Sequence, residues 1–399
     1  MRVVPVLVAM IVLLAGCSSP EPPGPAASSP GAAAPRPRVV AYFTDWGDFP
    51  VRNVDKSGAA ARLTHLVYAF GKVTGGGCTA GDPWADFEKP IAASDSVDGA
   101  ADPPGQPLRG NFGQLRKLKQ RHPKLRLLWS FGGWTGSKGF AEAAKDPAGF
   151  ARSCAALLRD PRWAGLFDGV DVDWEYPNAC GLACDDSGRD ALAGLLSALR
   201  AELGPDALVS AAVPADRDKL TATDYAAAAR SATWLSAMTY DFFGTGDTPG
   251  PTAPHSPLTA YPGIPRETAT TDAAVRELIG LGVPGEKVLL GVGFYGRGWT
   301  GVTTAAPGGR ASGAAAGSHE KGIEDYDVLR STCPPTGTAG GTAYALCRGQ
   351  WWSYDTPETI RTKMAYARST GLAGAFAWEL SGDTPDARLV TAMADGLAG

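Results

Sequence analysis

The stretch DGVDVDWEYP, from Asp168 to Pro177, is the most informative part of the chain. Side chains of a β-strand alternate between its two faces. A strand here therefore places three carboxyl groups on one face, those of Asp171, Asp173 and Glu175. The other face carries apolar side chains, those of Val170, Val172 and Trp174. Such an apolar face argues against the structural alternative of a solvated acidic edge strand.

The spacing of the three carboxyl groups predicts an unusual protonation state. Side chains on one face of a strand follow one another about 6–7 Å apart. Like charges this close cannot all remain ionised, so at least one proton is retained near neutral pH. A protonated carboxyl group beside an ionised one is the pair that cleavage of a glycosidic bond requires. A metal site is the other alternative, but metal sites usually draw their ligands from several elements.

From Val39 onward, short apolar runs alternate with helical stretches rich in Ala and Leu. The predicted strands are Val39–Thr44, Leu63–Lys72, Leu125–Phe131, Gly165–Trp174, Ala207–Val213, Thr233–Asp241, Lys287–Phe294 and Gly371–Trp378. The predicted helices are Phe112–Arg121, Phe140–Leu158, Asp190–Leu203, Thr270–Leu281, Pro357–Ser369 and Pro385–Leu397. Apolar strands that alternate with helices are typical of a parallel sheet buried on both faces. Eight such strands predict an α/β fold, the (β/α)8 TIM barrel.

Polar and aromatic residues follow the predicted strands at the ends where such a barrel carries its site. They are Asp45, Trp46, Gly132, Gly133, Trp134, Asp173, Glu175, Tyr240, Asp241, Tyr295, Arg297, Trp378 and Glu379. Together they predict a cup at the C-terminal face of the barrel, lined by carboxylates and aromatic rings.

One connection of the predicted barrel is far longer than a usual βα loop. About 60 residues separate the seventh strand from the helix near Pro357, where such loops take about 2–6. The connection contains strand-like pieces and two cysteines. We therefore expect a small α+β insertion at 299–352, between strand 7 and helix 7. The barrel is then formed by 38–298 and 353–399.

The N-terminus has the pattern of an export signal. Its apolar run, Val3–Ala15, follows an arginine and is too short to span a bilayer. The run ends in Leu14-Ala15-Gly16-Cys17, which resembles the lipobox of bacterial lipoproteins. Residues 1–17 are therefore expected to be a lipoprotein signal peptide with Cys17 as the lipid anchor, the alternative being a plain signal peptide on a secreted protein. Residues 18–37, nearly all Pro, Ala, Ser and Gly, are expected to form an extended tether.

Composition and charge narrow the classes of function. The chain has 399 residues, 44% of them hydrophobic, and a formal net charge of −4. A sequence pI near 5.7 argues against nucleic acid and against an anionic membrane surface as partners. Attachment to a membrane is expected only through a lipid on Cys17.

Six of the seven cysteines remain when Cys17 is set aside, and an exported chain permits disulfides. We expect the local pairs Cys180–Cys184 and Cys333–Cys347, with Cys78–Cys154 as a further pair. No metal site is expected, because the four histidines do not cluster with the cysteines.

Five short motifs occur along the chain. They are D-x-x-D-x-D-x-E (Asp168, Asp171, Asp173 and Glu175), S-x-G-G (Ser130-Phe131-Gly132-Gly133), M-T-Y-D (Met238-Thr239-Tyr240-Asp241), F-Y-G-R (Phe294-Tyr295-Gly296-Arg297) and A-W-E-L with Trp378. Together they resemble the motifs of glycoside hydrolase family 18, the chitinase family. The resemblance covers essentially all of the chain from Val39 onward. The long insertion resembles the insertion domain of bacterial-type chitinases.

The resemblance implies substrate-assisted hydrolysis with retention, in which the 2-acetamido group of the sugar is the nucleophile. Glu175 would protonate the departing glycosidic oxygen and then activate water. Asp173 would accept the acetamide N–H, and Asp171 would share a proton with Asp173. Tyr240 would donate a hydrogen bond to the acetamide oxygen. No metal and no cofactor would take part.

The resemblance also implies substrate-binding residues. Trp378 would form the floor of the cleavage subsite, and Asp241 would help to hold the sugar there. Arg297 would be either a donor to the substrate or the ion-pair partner of a carboxylate in the groove. The other expected contacts are Met238, Trp134, Trp46 and Tyr42. Tyr42 and Ser130 are also expected to hydrogen-bond on the Asp171 side of the network.

The leading hypothesis is an endo-acting chitinase that cleaves β-1,4 N-acetylglucosamine linkages. Alternatives are an endo-β-N-acetylglucosaminidase acting on N-glycans or peptidoglycan, and a non-catalytic carbohydrate-binding protein, which typically lacks the acid. The expected partner is chitin or its oligosaccharides, and the expected state is a monomer on the outer face of the cell membrane. Since no separate chitin-binding module is recognisable, weaker attack on crystalline than on soluble chitin is expected.

Overall fold

The computed structural model describes residues 36–246 and 249–399, together with residues 1, 3–5, 7 and 9. Cys17 and residues 18–35 of the expected tether lie outside the described residues. Among the residues described, no helix is both long enough and apolar enough to cross a bilayer.

The described part of the chain contains β-strands and α-helices in alternation. The strands are β1 (Arg38–Thr44), β2 (His65–Thr74), β3 (Gly77–Thr79), β4 (Arg126–Gly132), β5 (Gly169–Asp173), β6 (Leu208–Val213), β7 (Trp234–Ala237), β8 (Val288–Gly293), β9 (Tyr295–Thr300), β10 (Gly313–Ala314), β11 (Ile323–Asp325), β12 (Gly337–Ala339), β13 (Thr342–Cys347), β14 (Gln350–Tyr354) and β15 (Gly374–Trp378). The helices are α1 (Val51–Lys56), α2 (Ala59–Arg62), α3 (Gly110–Arg121), α4 (Phe140–Ala143), α5 (Pro147–Leu158), α6 (Ala191–Leu203), α7 (Arg217–Ala222), α8 (Tyr225–Ser231), α9 (Thr271–Gly280), α10 (Tyr326–Thr332), α11 (Pro357–Ser369) and α12 (Arg388–Ala398).

The parallel strands close into a barrel, as the sequence predicts. Their order is β1-β15-β8-β7-β6-β5-β4-β2, and β2 pairs again with β1. Within residues 36–246 and 249–399, eight parallel strands therefore form the (β/α)8 barrel, with the helices of the intervening segments around it. In the register of β4, β5 and β6, Asp171 lies between Ser130 and Ser210.

The two faces of β5 belong to different cores. Val170 and Val172 are fully buried in the layer between the barrel and its helices, where Leu195 of α6 also lies. Asp171 and Asp173 face the interior of the barrel. That interior holds a separate apolar cluster of Val40, Tyr42, Val67, Ala69, Leu128, Trp234, Leu289, Ala373 and Phe376. The alternation of side chains along β5 thus places the valines in the packed layer under the helices and the carboxyl groups inside the barrel.

A second, antiparallel sheet follows β8. Its order is β10-β9-β14-β13-β12, and β11 also pairs with β9. The sheet extends from Tyr295 to Tyr354, beyond the expected bounds of 299–352, because Arg297 on β9 pairs with both Ile323 and Ser353. Its core is a cluster around the fully buried Trp299 and Trp351.

The predicted helix Phe140–Leu158 is wrong in one respect, because the structure divides it into α4 and α5. The break lies at Asp146-Pro147, where the Asp146 carboxylate accepts a hydrogen bond from the Gly149 N–H at 2.9 Å. Proline disfavours a helical residue before it and is well tolerated at the first helical position. An Asp-Pro pair inside a periodic stretch therefore starts a new helix.

The predicted strand Thr233–Asp241 is shorter in the structure, where β7 ends at Ala237. The Thr239 hydroxyl donates to the Gly291 carbonyl at 2.8 Å and accepts from the Gly291 N–H at 2.9 Å. At this position the Thr239 side chain takes the place of backbone hydrogen bonds between β7 and β8. The backbone after Ala237 therefore leaves the sheet and enters the cup.

The expected disulfides are present. Cys180–Cys184 and Cys333–Cys347 close local loops, and Cys78–Cys154 joins β3 to α5. The local pairs followed from spacing, and the third pair was the one left by elimination.

Candidate active site

Asp171 is the deepest carboxyl group of the cup and is fully buried. It accepts hydrogen bonds from Tyr42 Oη at 2.9 Å, Ser130 Oγ at 2.7 Å and Ser210 Oγ at 2.6 Å. Burial raises the pKa of Asp171, and these three hydroxyl donors oppose that rise by stabilising the ionised form. Hydrogen bonding from Tyr42 and Ser130 was expected, whereas Ser210 was missed. A serine within the apolar run Leu208–Val213 was the available indication.

Asp173 lies two residues after Asp171, at the C-terminal end of β5, and is only 5% exposed. Its Oδ1 is buried and has no hydrogen-bond partner among the described residues. Burial, then the charges of Glu175 and Asp171, raise the pKa of Asp173 well above its ordinary value. Burial therefore favours the protonated form of Asp173, and its Oδ1 is a buried acceptor without a partner among the described residues.

Glu175 lies beyond the end of β5 and is partly exposed to the cup. Burial raises the pKa of its carboxyl group to about 7, with Tyr176 lowering it, Asp241 raising it and Lys219 lowering it. A carboxyl group with this pKa can donate a proton and take one back near neutral pH.

The backbone that carries these carboxyl groups is fixed by the loop after β4. The Gly133 N–H donates to the Asp173 carbonyl at 2.8 Å, and the Ser137 hydroxyl accepts from the Glu175 N–H at 2.8 Å. Gly132 has a φ of +114°, and a Cβ there would lie 2.1 Å from the Asp173 carbonyl oxygen. The S-x-G-G motif is therefore needed for close backbone approach.

Gly132→Ala is expected to lower the free energy of unfolding by about 2–3 kcal/mol and to lower kcat as well, because strain and the clash displace Asp173. Denaturant unfolding and activity should be measured on the same preparations. Gly165→Ala is the matched control, since Gly165 has a φ of +75° with nothing within 4 Å of its missing Cβ. Equal effects of the two substitutions would show that the clash with Asp173 does not matter.

The segment after β7 supplies Tyr240 and Asp241. The Tyr240 ring lies 6.0 Å from Phe376 and 6.3 Å from Tyr295, between centroids, and burial raises its pKa well above 10.0, so it remains a hydroxyl donor. Asp241 has a φ of +59° and forms two hydrogen bonds with Arg297, at 2.7 and 2.6 Å. Of the two alternatives for Arg297, the structure therefore has the ion pair with a groove carboxylate.

Asp241 is ionised because its partners outweigh its partial desolvation at the wall of the cup. Desolvation alone would raise the pKa of Asp241, but the charge and hydrogen bonds of Arg297, followed by His255, hold it below its ordinary value. His255 was not among the predicted site residues, because a single histidine in a loop carries no pattern.

Aromatic side chains surround the carboxyl groups. Trp378 at the end of β15 lies 5.4 Å from Tyr42, 5.7 Å from Phe70 and 6.3 Å from Trp46, between ring centroids. Trp46 is 50% exposed and borders a groove of about 700 Å³ with Phe70. Phe70 was missed, because in the sequence it is one of several consecutive apolar residues of β2.

The two remaining predicted contacts are Met238 and Trp134. Met238 is partly buried and packs on the interior cluster of the barrel, as Tyr240 and Trp378 do. Trp134 is 48% exposed, with its ring 6.4 Å from that of Tyr176. The structure thus brings all the predicted contacts to one end of the barrel.

Asp168 is separate from the cup, at the opposite end of β5. Its Oδ2 accepts from the Leu127 N–H at 2.8 Å and from Lys119 Nζ at 2.7 Å, so its role is structural. Among the described residues, no group of three or more His, Cys, Asp and Glu side chains could hold a metal ion.

Comparison with known proteins agrees with this geometry. The family described as "Glycosyl hydrolases family 18" matches residues 38–383. The chain is 56% identical over 353 residues to chitinase C of Streptomyces lividans, covering 86% of this chain and 57% of the relative. It is 55% identical over 366 residues to chitinase 63 of Streptomyces plicatus, covering 90% and 60%. The chain therefore spans less than two thirds of the length of these two relatives.

The fold is also similar to a solved structure, the catalytic domain of the psychrophilic chitinase B from Arthrobacter TAD20. The TM-score is 0.86 at 35% sequence identity, and the match covers 91% of this chain and 96% of that one.

Proposed function

Because the chain belongs to glycoside hydrolase family 18, we propose that it is an endo-acting chitinase that hydrolyses β-1,4 N-acetylglucosamine linkages with retention. The observation that carries the proposal is the unpartnered, buried Oδ1 of Asp173, next to a Glu175 carboxyl group with a pKa of about 7. A buried acceptor without a partner is costly, so a ligand N–H such as that of an acetamide is the group it suits.

In the first half of the reaction, the acetamido carbonyl oxygen of the substrate attacks its own anomeric carbon. Glu175 gives its proton to the glycosidic oxygen as that bond breaks, which leaves an oxazolinium ion. The acetamide N–H donates to Asp173, and the Tyr240 hydroxyl donates to the acetamide oxygen. In the second half, the Glu175 carboxylate takes a proton from water as the water oxygen attacks the anomeric carbon from the side of the departed sugar. The bond between the anomeric carbon and the acetamido oxygen breaks in this step, which restores the neutral acetamide and leaves Glu175 protonated again.

Asp171, which lies deeper in the barrel than Asp173, stabilises the positive charge that develops in the reaction. Its three hydroxyl donors favour its ionised form, so the proton shared by the two aspartates resides on Asp173 in the free enzyme. When positive charge develops on the acetamide, the negative charge beneath it is already present. Such preorganisation is worth about 3–4 kcal/mol for a single well-placed group.

The aromatic side chains of the cup suit a chain of sugars. Trp378 ends β15, its ring lies 6.3 Å from that of Trp46 between centroids, and Trp46 and Trp134 are both exposed. Aromatic rings suit the apolar faces of pyranose rings. The second sheet, from β9 to β14, supplies Arg297, which holds Asp241, so we propose that this insertion walls and stiffens the groove.

The proposal is tested by product analysis on N-acetylglucosamine hexamer, with anomers resolved at early times. Dimers and trimers in the β form are expected. Binding without cleavage would place the chain among carbohydrate-binding proteins. If neither occurs, N-glycans and peptidoglycan become the substrates to test, and the chitinase proposal is wrong.

The pH dependence of kcat/KM, which reports the ionisations of the free enzyme, follows from Glu175. The pKa of this group is raised to about 7, so the reactive acid form is present below that pH and is lost above it. We expect kcat/KM to fall roughly tenfold per pH unit once the pH exceeds about 7. Asp241, whose pKa is lowered, stays ionised throughout this range.

Lys219→Met provides a directional check on that assignment. Lys219 lowers the pKa of Glu175, and its Nζ lies 4.0 Å from the Tyr176 ring centroid. Removing the charge should raise the pKa of Glu175 and move the basic limb of the pH–activity profile, where activity falls above about pH 7, to higher pH. A basic limb that stays in place or moves to lower pH would contradict the assignment of Glu175 as the acid.

We further propose that the chain is exported and anchored outside the cell through a lipid on Cys17, as a monomer. The support is the lipobox-like segment Leu14-Ala15-Gly16-Cys17. Cys17→Ser should release the protein from the membrane fraction, and a variant that stays bound would refute the anchor. Light scattering of the purified protein tests the monomer.

A further inference from the structure

His255 is a buried histidine whose ring nitrogens make no hydrogen bond within the described residues. The residue is fully buried, and both Nδ1 and Nε2 are without hydrogen-bond partners there. Leaving a buried polar group unpaired usually destabilises a fold. The ring is nevertheless held in place through its backbone, which donates to Ser353 Oγ at 3.0 Å and accepts from the Phe242 N–H at 2.9 Å. Its location is therefore built into the fold.

The ring faces the active site through Asp241. His255 Nδ1 lies 3.6 Å from Asp241 Oδ1, the oxygen that also accepts from Arg297 Nε at 2.7 Å. The ring packs against Tyr295, with centroids 5.3 Å apart. The same oxygen of Asp241 is therefore close to the guanidinium group of Arg297, on β9, and to the imidazole of His255, in the segment before α9.

The groups around His255 determine its protonation state. Burial lowers its pKa, Asp241 and Asp355 raise it, and Lys363 lowers it, with the net result below 6.5. Arg297 is paired with Asp241, and the Tyr295 ring is uncharged at neutral pH. His255 is therefore neutral at neutral pH and carries a single N–H. A lone pair facing a carboxylate is repelled, so we assign that hydrogen to Nδ1.

Asp241 needs a second support because its backbone is strained. An αL conformation at a residue other than glycine costs on the order of 1 kcal/mol and persists only where the surroundings enforce it. Arg297 contacts both oxygens of the carboxylate, at 2.7 and 2.6 Å. The imidazole adds a second group at Oδ1, with a dipole that favours the negative charge there.

We propose that His255 is a positioning residue for the reaction, which acts through Asp241 by holding its carboxylate in the orientation that faces the substrate. This inference rests on the proposed function, in which Asp241 helps to hold the sugar. His255 itself does not touch substrate, because its side chain is buried behind Asp241.

The test compares His255→Asn with His255→Leu. Asparagine can place an N–H near the position of Nδ1, whereas leucine has a similar size and no donor. We expect the leucine variant to lose roughly tenfold in kcat/KM, because it removes the N–H dipole that faces the carboxylate, and the asparagine variant to keep most of the activity. His255→Gln, whose amide reaches the position of Nε2 instead, is expected to behave like leucine. If the leucine variant does not fold, as judged by thermal melting, the comparison of the asparagine and glutamine variants tests the proposal.

Repeating the substitutions in an Asp241→Asn background separates positioning from a general structural effect. If His255 acts through Asp241, the leucine and glutamine substitutions cost nothing further there. Equal losses in both backgrounds, or equal activity of the three His255 variants in the wild-type background, would overturn the proposal. Wild-type protein in the same assay keeps the two questions apart, since failure of the wild type to cleave the hexamer refutes the proposed function instead.

Discussion

Replacing Glu175 by glutamine is expected to lower kcat on N-acetylglucosamine hexamer by about 10²–10⁴-fold while leaving oligosaccharide binding nearly unchanged. Glutamine has the shape of glutamic acid but cannot give a proton to the glycosidic oxygen. Steady-state kinetics measure the loss, and titration calorimetry with the same hexamer measures binding. A substrate with an acidic phenol as leaving group should lose less in the first half-reaction, because that oxygen leaves without a proton.

Asp86→Asn is the matched control for this substitution. Burial raises the pKa of Asp86 to about 7, similar to that of Glu175, and its Oδ1 accepts a hydrogen bond from Tyr68 Oη at 2.5 Å, away from the three carboxyl groups of the cup. Activity near the wild-type level is expected. Substantial hydrolysis by Glu175→Gln would mean that another group supplies the proton, and the acid assignment would be abandoned.

Glu175→Gln should also change stability, in the opposite direction to activity. The pKa of Glu175 is about 7 in the folded protein and 4.5 ordinarily, so the protonated group favours the folded state. That contribution is complete below pH 4.5 and is lost as the pH rises through about 7. The glutamine variant never carries the buried charge. Its melting temperature relative to wild type should therefore increase between pH 5 and pH 8, a window set by these two pKa values.

The alternation along β5 explains why so much of the site could be predicted from the sequence. A period of two assigns Asp171 and Asp173 to the barrel interior and Val170 and Val172 to the helix layer, whatever the remainder of the fold does. Since parallel strands of a barrel end at one face, the aromatic residues after other strands follow to the same place. Trp378 is an example, because its strand and its position at the strand end were both evident.

The remaining features depend on tertiary contacts that have no local pattern. Ser210 is a small polar residue in an apolar strand, and only the register of β5 with β6 shows that it meets Asp171. His255 belongs to a long loop, and its relation to Asp241 arises from packing between the barrel and the second sheet. The requirement for glycine at 132 likewise appears only once the Asp173 carbonyl is seen beside it.

Asp173→Asn is expected to lower kcat by about 10²–10³-fold, with the protein folded and the hexamer still bound. The amide oxygen of asparagine can still accept the acetamide N–H, but the amide has no acidic proton to pass to Asp171, so this variant keeps the acceptor and prevents the negative charge of the pair from moving to residue 173, next to the oxazolinium ion. Asp173→Ala also removes the acceptor, and we expect it to lose more. Comparing kcat for the two variants therefore separates electrostatic stabilisation of the oxazolinium ion from orientation of the acetamide.

The pH profile of Asp173→Asn provides the sharper test. If Asp173 already holds its proton where Glu175 titrates, it exerts little charge on Glu175, and its replacement should leave the basic limb near pH 7. Burial and Asp241 still raise the pKa of Glu175 in this variant. A limb displaced by about one pH unit or more to lower pH would instead place a negative charge on Asp173 in the free enzyme. In that case the shared proton resides on Asp171, and its three hydroxyl partners Tyr42, Ser130 and Ser210 would not favour the ionised form as their geometry indicates.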